Sequence, residues 1–159
     1  MIDADTFRSV LGRFASGVTI LTARDPNGGD HGMTVSAFSS LSLDPSLVLI
    51  CIDHEASMHE LLLTHPAIGV SILASEQEPY SRRFAAEEDD RFDGIPFKRG
   101  ENGVVLLDEA LAHMECRLVK HYEAGDHTIF IAEIDHAEPH ANDGKPLLYY
   151  RGGYAQLSR

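Results

Sequence analysis

Tryptophan is absent, cysteine occurs twice, and the basic residues number 13 against 25 acidic ones. The last two scarcities each exclude a class of protein. A formal charge of −12 opposes long-range attraction to nucleic acid or anionic lipid, so an anionic ligand needs a local site built from a few donors. Cys51 and Cys116 sit in the apolar runs VLICID and HMECRL, where a reduced buried thiol is the common state and no disulfide framework is implied. The stretch MIDADTFRSV lacks a basic and an apolar leader region, and no run approaches the roughly 18 apolar residues of a membrane span. A soluble cytoplasmic protein without nucleic-acid or membrane partners is the expectation. The 159 residues suit one domain over the whole chain, 1–159, with a sizeable core.

Several chemistries are missing as well. The nine histidines show no H-x-x-x-H beside a third ligand, no H-E-x-x-H and no C-x-x-C partner motif, so no metal site is expected. His54, His59, His65, His113, His121, His136 and His140 read as surface or packing residues. There is no G-x-S-x-G, and neither cysteine has the basic surroundings that would make it a nucleophile. Both phosphate-binding glycine motifs, G-x-x-x-x-G-K-[ST] and G-x-G-x-x-G, are absent, which excludes a nucleotide held on a Rossmann crossover.

What is present is a run of hydroxyls at period two. In GMTVSAFSSLSLDP, residues 32 to 45, Thr34, Ser36, Ser40 and Ser42 alternate with Met33, Val35, Ala37, Leu41 and Leu43, and Phe38 fills the gap. On one continuous strand these short neutral donors share a face beside an aromatic ring, which suits a ligand rich in phosphate or carbonyl oxygens. A Ser/Thr-rich edge strand facing water has the same pattern.

Around this run the chain reads as mainly β. Asp3 or Asp5 caps an opening helix whose Phe7, Val10, Leu11 and Phe14 recur at helical spacing and should cover one end of a sheet, with Gly17 ending it. Strands follow at 17–23 and at 46–53, the latter apolar on both faces. Ser57 and Glu60 form a capping box for a helix over about 58–65, and 67–73 returns to strand. Ser75 and Glu78 offer a second box, with a helix start at Pro79 as the alternative. The charged segment 87–103 lacks periodicity, as functional loops do. Alternating strands at 110–119 and 127–137 flank a turn at Gly125-Asp126, and a last strand over 147–157 is interrupted at Gly152-Gly153, as by a bulge. Six or seven strands with short terminal helices favour an antiparallel, Greek-key, closed or partly closed barrel.

The ordered series LGRFASGVTILTA, GMTVSAFSSLSLDPSLVLICID, FAAEEDDRFDGI, LAHMECRL, AGDHTIFIAEI and PLLYYRGGY resembles the short-chain flavin reductase family, from about Phe7 to Leu157. The resemblance implies an antiparallel split β-barrel of the FMN-binding type, a homodimer, and reduction of non-covalently bound FMN or FAD by NADH or NADPH. Reduced flavin would in many cases pass to a separate monooxygenase. Carried onto this sequence, Met33, Thr34, Val35, Ser36, Ala37, Ser39, Ser40 and Ser42 match the segment along the flavin. Cys51, Ile52 and Asp53 match the strand end beside its ring, and Ser57 the loop after it. Phe84, Ala85 and Arg91, with Phe92, match the pair of motifs closing over the phosphate-bearing or adenylate side. His127 matches a histidine on the nicotinamide face. Two positions depart from the pattern: Ser36-Ala37, where relatives often carry an amide and a hydroxyl, and Gly153, where they carry a basic residue, leaving Arg151 as the nearest cation. Competing readings are a flavin- or haem-binding carrier or sensor without turnover, and an oxidase of the pyridoxamine-phosphate-oxidase type.

Overall fold

The computed structural model describes residues 1–86, 91–140 and 144–158. In chain order the elements are α1 (Ala4–Leu11), β1 (Ser16–Gly17), β2 (Thr19–Arg24), β3 (Asp30–Val35), β4 (Phe38–Ser42), β5 (Leu47–Asp53), α2 (His59–Thr64) and β6 (Ala67–Ile72). A short 3₁₀ turn (Ser75–Gln77) leads into α3 (Glu78–Ala85), followed by β7 (Phe97–Arg99), β8 (Val105–Leu107), β9 (Ala112–Ala124), β10 (His127–Pro139), β11 (Leu147–Tyr150) and β12 (Gly153–Gln156). Among the described residues no helix is long and apolar enough to cross a membrane.

The main sheet has seven strands in the order β3-β2-β6-β9-β10-β5-β4, and every pairing in it is antiparallel. Its two edges, β3 and β4, are consecutive in the chain and separated only by Ser36 and Ala37. Three peptide units reach roughly 10 Å at full extension, so the edges must come together there and the sheet must roll into a barrel. Cys51 N–H donates to Ala37 O at 3.0 Å beside this link.

Two apolar clusters divide the core. Leu21, Val35, Ile50, Ile52, Ile68 and Phe130 fill the barrel, while Val18, Ile20, Leu73, Phe84, Val105 and Leu107 pack outside it beneath α3. Strand β2 serves both, because successive side chains point to opposite faces.

The hydroxyl run is not one strand. On β3, Val35 belongs to the barrel core, so Thr34 points out of it, toward α3. On β4, Phe38 pairs with Ile50 and Ser40 with Val48, and Phe38 packs on the barrel core. The parity therefore reverses across Ser36-Ala37, and Thr34 and Ser40 occupy opposite faces. No single hydroxyl ladder exists.

Other expectations shift for local reasons. Asp3 caps α1 through Thr6 N–H at 2.7 Å, and the helix stops at Leu11 with Gly12, not Gly17, as its C-cap. Its apolar face covers no sheet: Phe7, Val10 and Leu11 are exposed, and Phe14 is 81% exposed. The Ser57 capping box does not form, since the N-cap of α2 is Met58 with no side-chain bond. The Ser75 and Glu78 box does not form either: Ser75 lies within the 3₁₀ turn, whose N-cap is Ala74, and α3 starts at Glu78 with Gln77 as N-cap and no side-chain bond, one residue before the alternative start at Pro79. Strand β5 alternates buried with half-buried residues instead of being buried on both faces, whereas the alternation at 110–119 conceals burial of both His113 and Glu115. Within 87–103, residues 87–90 lie outside the described residues and Phe97–Arg99 is a strand. At Gly152-Gly153 the chain makes a tight hairpin rather than a bulge: Arg151 and Gly152 both have positive φ, 52° and 76°, and Tyr150 pairs with Gly153.

Candidate functional site

Where β3 runs beneath α3, two cavities adjoin. One, of about 230 Å³, is walled by Met33, Thr34, Ala56, Ser57, Phe84 and Arg91, with Ala85 at its rim. The other, of about 200 Å³, is walled by Val18, Ser36, Ser81, Tyr149 and Tyr154, and shares Thr34 and Ala85 with the first.

Glycine makes the first wall possible. A Cβ on Gly32 would stand 2.7 Å from Phe84 Cε1 and 3.0 Å from Phe92 Cζ, so only a bare backbone lets the ring pair lie against β3. Phe84 and Phe92 meet edge to face at 5.0 Å. Over the same glycine, Arg91 Nη1 donates to Gly32 O at 2.6 Å. The Nε of Arg91 is buried without a hydrogen-bond partner among the described residues. An unsatisfied buried donor costs about 1–3 kcal/mol, and a phosphate oxygen entering the cavity would remove that penalty.

Ser81 on α3 holds the second wall. Its carbonyl accepts the Thr34 hydroxyl at 2.6 Å, and its Oγ bonds the Tyr154 hydroxyl at 2.7 Å. The Tyr154 ring lies edge to face with Tyr149 at 5.5 Å and beneath the Arg82 guanidinium at 4.8 Å. Helix α3 is thereby tied to β3 on one side and to β12 on the other.

His127 opens β10 directly opposite Asp53, the last residue of β5. It walls neither cavity, but it borders the loop that contributes Ala56 and Ser57: Ala56 N–H donates to Asp53 O, and His54 N–H donates to Asp126 O. The Nδ1 of His127 is 2.7 Å from Asp126 Oδ1. An ionised carboxylate only accepts, so Nδ1 carries the proton, and in the neutral tautomer Nε2 is left as an acceptor. The hydrogen bond from His127, foremost, holds the Asp126 carboxyl below its ordinary value. Just inside the barrel, His54 and His59 both approach the Thr128 hydroxyl through Nε2, at 3.1 and 2.8 Å, forming a polar plug at this end.

The fold thus brings together Met33, Thr34, Ser36, Ser57, Phe84, Ala85 and Arg91 of the residues read from sequence. Ala37 lies on the exposed link, and Cys51 beside it is half-buried, its thiol pushed up by burial. Val35 and Ile52 have their side chains in the barrel core. Ser39, whose hydroxyl donates to Ser40 O, lies with Ser40 and Ser42 along β4, outside both cavities. Asp53 is spent partly on the N–H of Glu55. Arg82 adds a cation over Tyr154 of the last motif, while Arg151 sits exposed in the hairpin turn with its N–H bonded to Gly12 O. Val18, Ala56, Ser81, Tyr149 and Tyr154 were not singled out from the sequence. The Arg151-Gly152 turn is the signal for the last two, since a two-residue hairpin there sets Tyr149 opposite Tyr154.

Residues 11–158 match the family model described as "Flavin reductase like domain". An NADH-dependent flavin reductase of a Rhodococcus species is 43% identical over 154 residues, covering 94% of this chain and 84% of that protein. The reductase component of a 4-nitrophenol 4-monooxygenase/4-nitrocatechol 2-monooxygenase from Rhodococcus opacus is 38% identical over 156 residues, covering 98% and 82%. Among solved structures, an NADH:FAD oxidoreductase of Streptomyces globisporus in complex with NAD and FAD fragments superposes with a TM-score of 0.92 at 36% identity, covering 99% of this chain and 96% of that one.

Proposed function

This chain belongs to the family of flavin reductase-like domains and is an NAD(P)H-dependent flavin reductase, and we propose that the two adjoining cavities are where it holds FMN or FAD. The observation that carries this assignment is Arg91, whose buried Nε lacks a partner among the described residues at the wall of the larger cavity. In an acidic chain, one guanidinium fixed by Gly32 O supplies locally the charge that the surface as a whole does not.

The two nucleotides supply the redox chemistry when bound, a hydride passing from nicotinamide C4 to flavin N5. The chain's own part is positioning and exclusion of water. Arg91, Ser57 and Ser36 offer donors to phosphate and ribityl oxygens. Phe84 gives an apolar floor, and the Ala56-Ser57 loop faces the flavin ring. His127 lies on the nicotinamide side, where its bare Nε2 accepts a hydrogen bond from a carboxamide N–H.

A second copy of the chain covers the unpartnered face of α1 in this reading. Phe7, Val10, Leu11 and Phe14 form an apolar stripe that stays exposed in the single chain, and such a stripe marks an association surface. The whole chain works as one domain, in the cytoplasm, and passes reduced flavin to a separate monooxygenase, a reading supported by the Rhodococcus opacus relative, which is named as the reductase component of a monooxygenase.

Anaerobic NADH and NADPH oxidation with FMN, FAD and riboflavin tests the site assignment when run on the wild type and on Arg91→Ala. Loss of flavin affinity in the variant, with the fold intact by circular dichroism, supports it; unchanged affinity for both phosphorylated flavins sinks it. Light scattering on the wild type and on Phe14→Glu tests the dimer.

A further inference from the structure

Resting on the flavin reductase reading, we propose that Tyr149 and Tyr154 form an adenine-stacking subsite that makes FAD a better flavin substrate than FMN. The hairpin turn at Arg151-Gly152 sets the two tyrosines opposite each other, with ring centroids 5.5 Å apart and planes at 70°. Tyr154 is held on three sides, by the fully buried Ser81 through its hydroxyl, by the Arg82 guanidinium on its face and by Tyr149 at its edge. A ring so immobilised loses little freedom when a ligand arrives. Tyr149 retains 38% of its exposure and walls the smaller cavity together with Val18 and Ser36.

The division of the features between the two cavities selects the ligand. Arg91 and the Ala56-Ser57 loop wall the larger cavity, and the tyrosines wall the smaller one across Thr34 and Ala85, which the two share. A molecule that fills both has an anionic centre for Arg91 and a further planar group for the tyrosines. FAD has that form, whereas FMN ends at its phosphate and does not reach the tyrosines. Stacking also adds affinity without further positive charge, which a chain of net charge −12 has little of. NADH shares the dinucleotide form, but the histidine that would face its nicotinamide walls neither cavity.

The test is steady-state NADH oxidation with FAD, FMN and riboflavin, for the wild type, Tyr149→Ala and Tyr149→Phe. The wild type should show a KM for FAD about tenfold below that for FMN, and Tyr149→Ala should erase that advantage. Tyr149→Phe should restore it, and the KM values for FMN, riboflavin and NADH should stay within about twofold throughout, as expected when only base stacking is lost. Equal changes for FAD and FMN would assign the tyrosines to the flavin ring, a change in NADH KM would assign them to the nicotinamide nucleotide, and no change at all would leave them structural; each overturns the subsite. On the wild type, adenosine should compete with FAD and not with FMN, which decides the matter if Tyr149→Ala fails to fold. Absence of NADH oxidation with every flavin would instead overturn the reductase reading, and Kd values for FAD and FMN from fluorescence titration would still decide the subsite.

Discussion

The hydroxyl of Thr34 donates its one proton to the carbonyl of Ser81, 2.6 Å away and 47 residues later in the chain. That bond fastens the strand beneath the candidate site to the helix above it. It also removes Thr34 from the donors that could reach a phosphate, because a hydroxyl has one proton to give. Ser36, Ser57 and Arg91 remain.

Thr34→Val should therefore act on stability more than on binding. Removing the donor leaves the Ser81 carbonyl without this partner, at about 1–3 kcal/mol, while flavin KM changes little. Arg91→Lys should do the reverse, since a lysine keeps the charge but not the fork that bonds Gly32 O and presents Nε. Paired urea denaturation and flavin titration distinguish the two effects.

Gly32→Ala should destabilise the fold by about 1–3 kcal/mol, the cost of forcing a methyl group into a packed aromatic contact. Its Cβ meets the Phe84 and Phe92 rings, both too close for an ordinary contact. Flavin affinity should fall in the same variant, as Phe84 walls the larger cavity. Gly32→Ala combined with Phe84→Leu should recover part of the stability, measured as the midpoint of thermal unfolding.

His127→Ala should raise the KM for NADH while leaving the KM for flavin nearly unchanged. Asp126→Asn should have a smaller effect of the same kind, because the amide holds Nδ1 less firmly than the carboxylate. The pH dependence has a definite sign: the Asp126 carboxyl is held below its ordinary 3.8, so its anchoring contribution is present above that value and is lost as pH falls through the lowered one. At neutral pH the anchor is complete, and the NADH KM should not vary on its account. A sharp rise in NADH KM between neutral and mildly acid pH in Asp126→Asn and wild type alike would assign the dependence to another group.

Thiol chemistry should separate the two cysteines. Burial pushes Cys116 up to about 12, so at neutral pH it stays a protonated, enclosed thiol that disulfide reagents do not reach. Cys51 is half-buried with its thiol also raised, and should react slowly. The folded protein should yield no more than one titratable thiol, and both should appear in denaturant.

Much of the fold was legible because period-two alternation and turn chemistry are local. The capping Asp3, the Gly125-Asp126 hairpin and most strands follow from neighbouring residues alone. Failures occur where distant parts of the chain decide. Ser36 and Ala37 continue the alternation of their neighbours without interruption, and only closure of the barrel turns them into a link between opposite sheet edges. The Ser57 and Glu60 box had the right spacing, yet α2 begins one residue beyond the required cap. His113 and Glu115 look like a solvated face until β8 and the segment around Gly100 and Asn102 cover them, His113 bonding Leu107 O and Glu115 the Asn102 N–H.

By itself the sequence determined the mainly antiparallel β architecture, the absence of a glycine-loop phosphate site, and the family, because these depend on residue types and their spacing in order. Tertiary structure alone decided which hydroxyls face a ligand, that Arg91 lies over Gly32, and that Tyr154 meets Ser81. The physical reason is that a side chain's donors are shared out among whatever the folded chain brings near them, and the partners of Thr34, Arg91 and Tyr154 lie 47, 59 and 73 residues away.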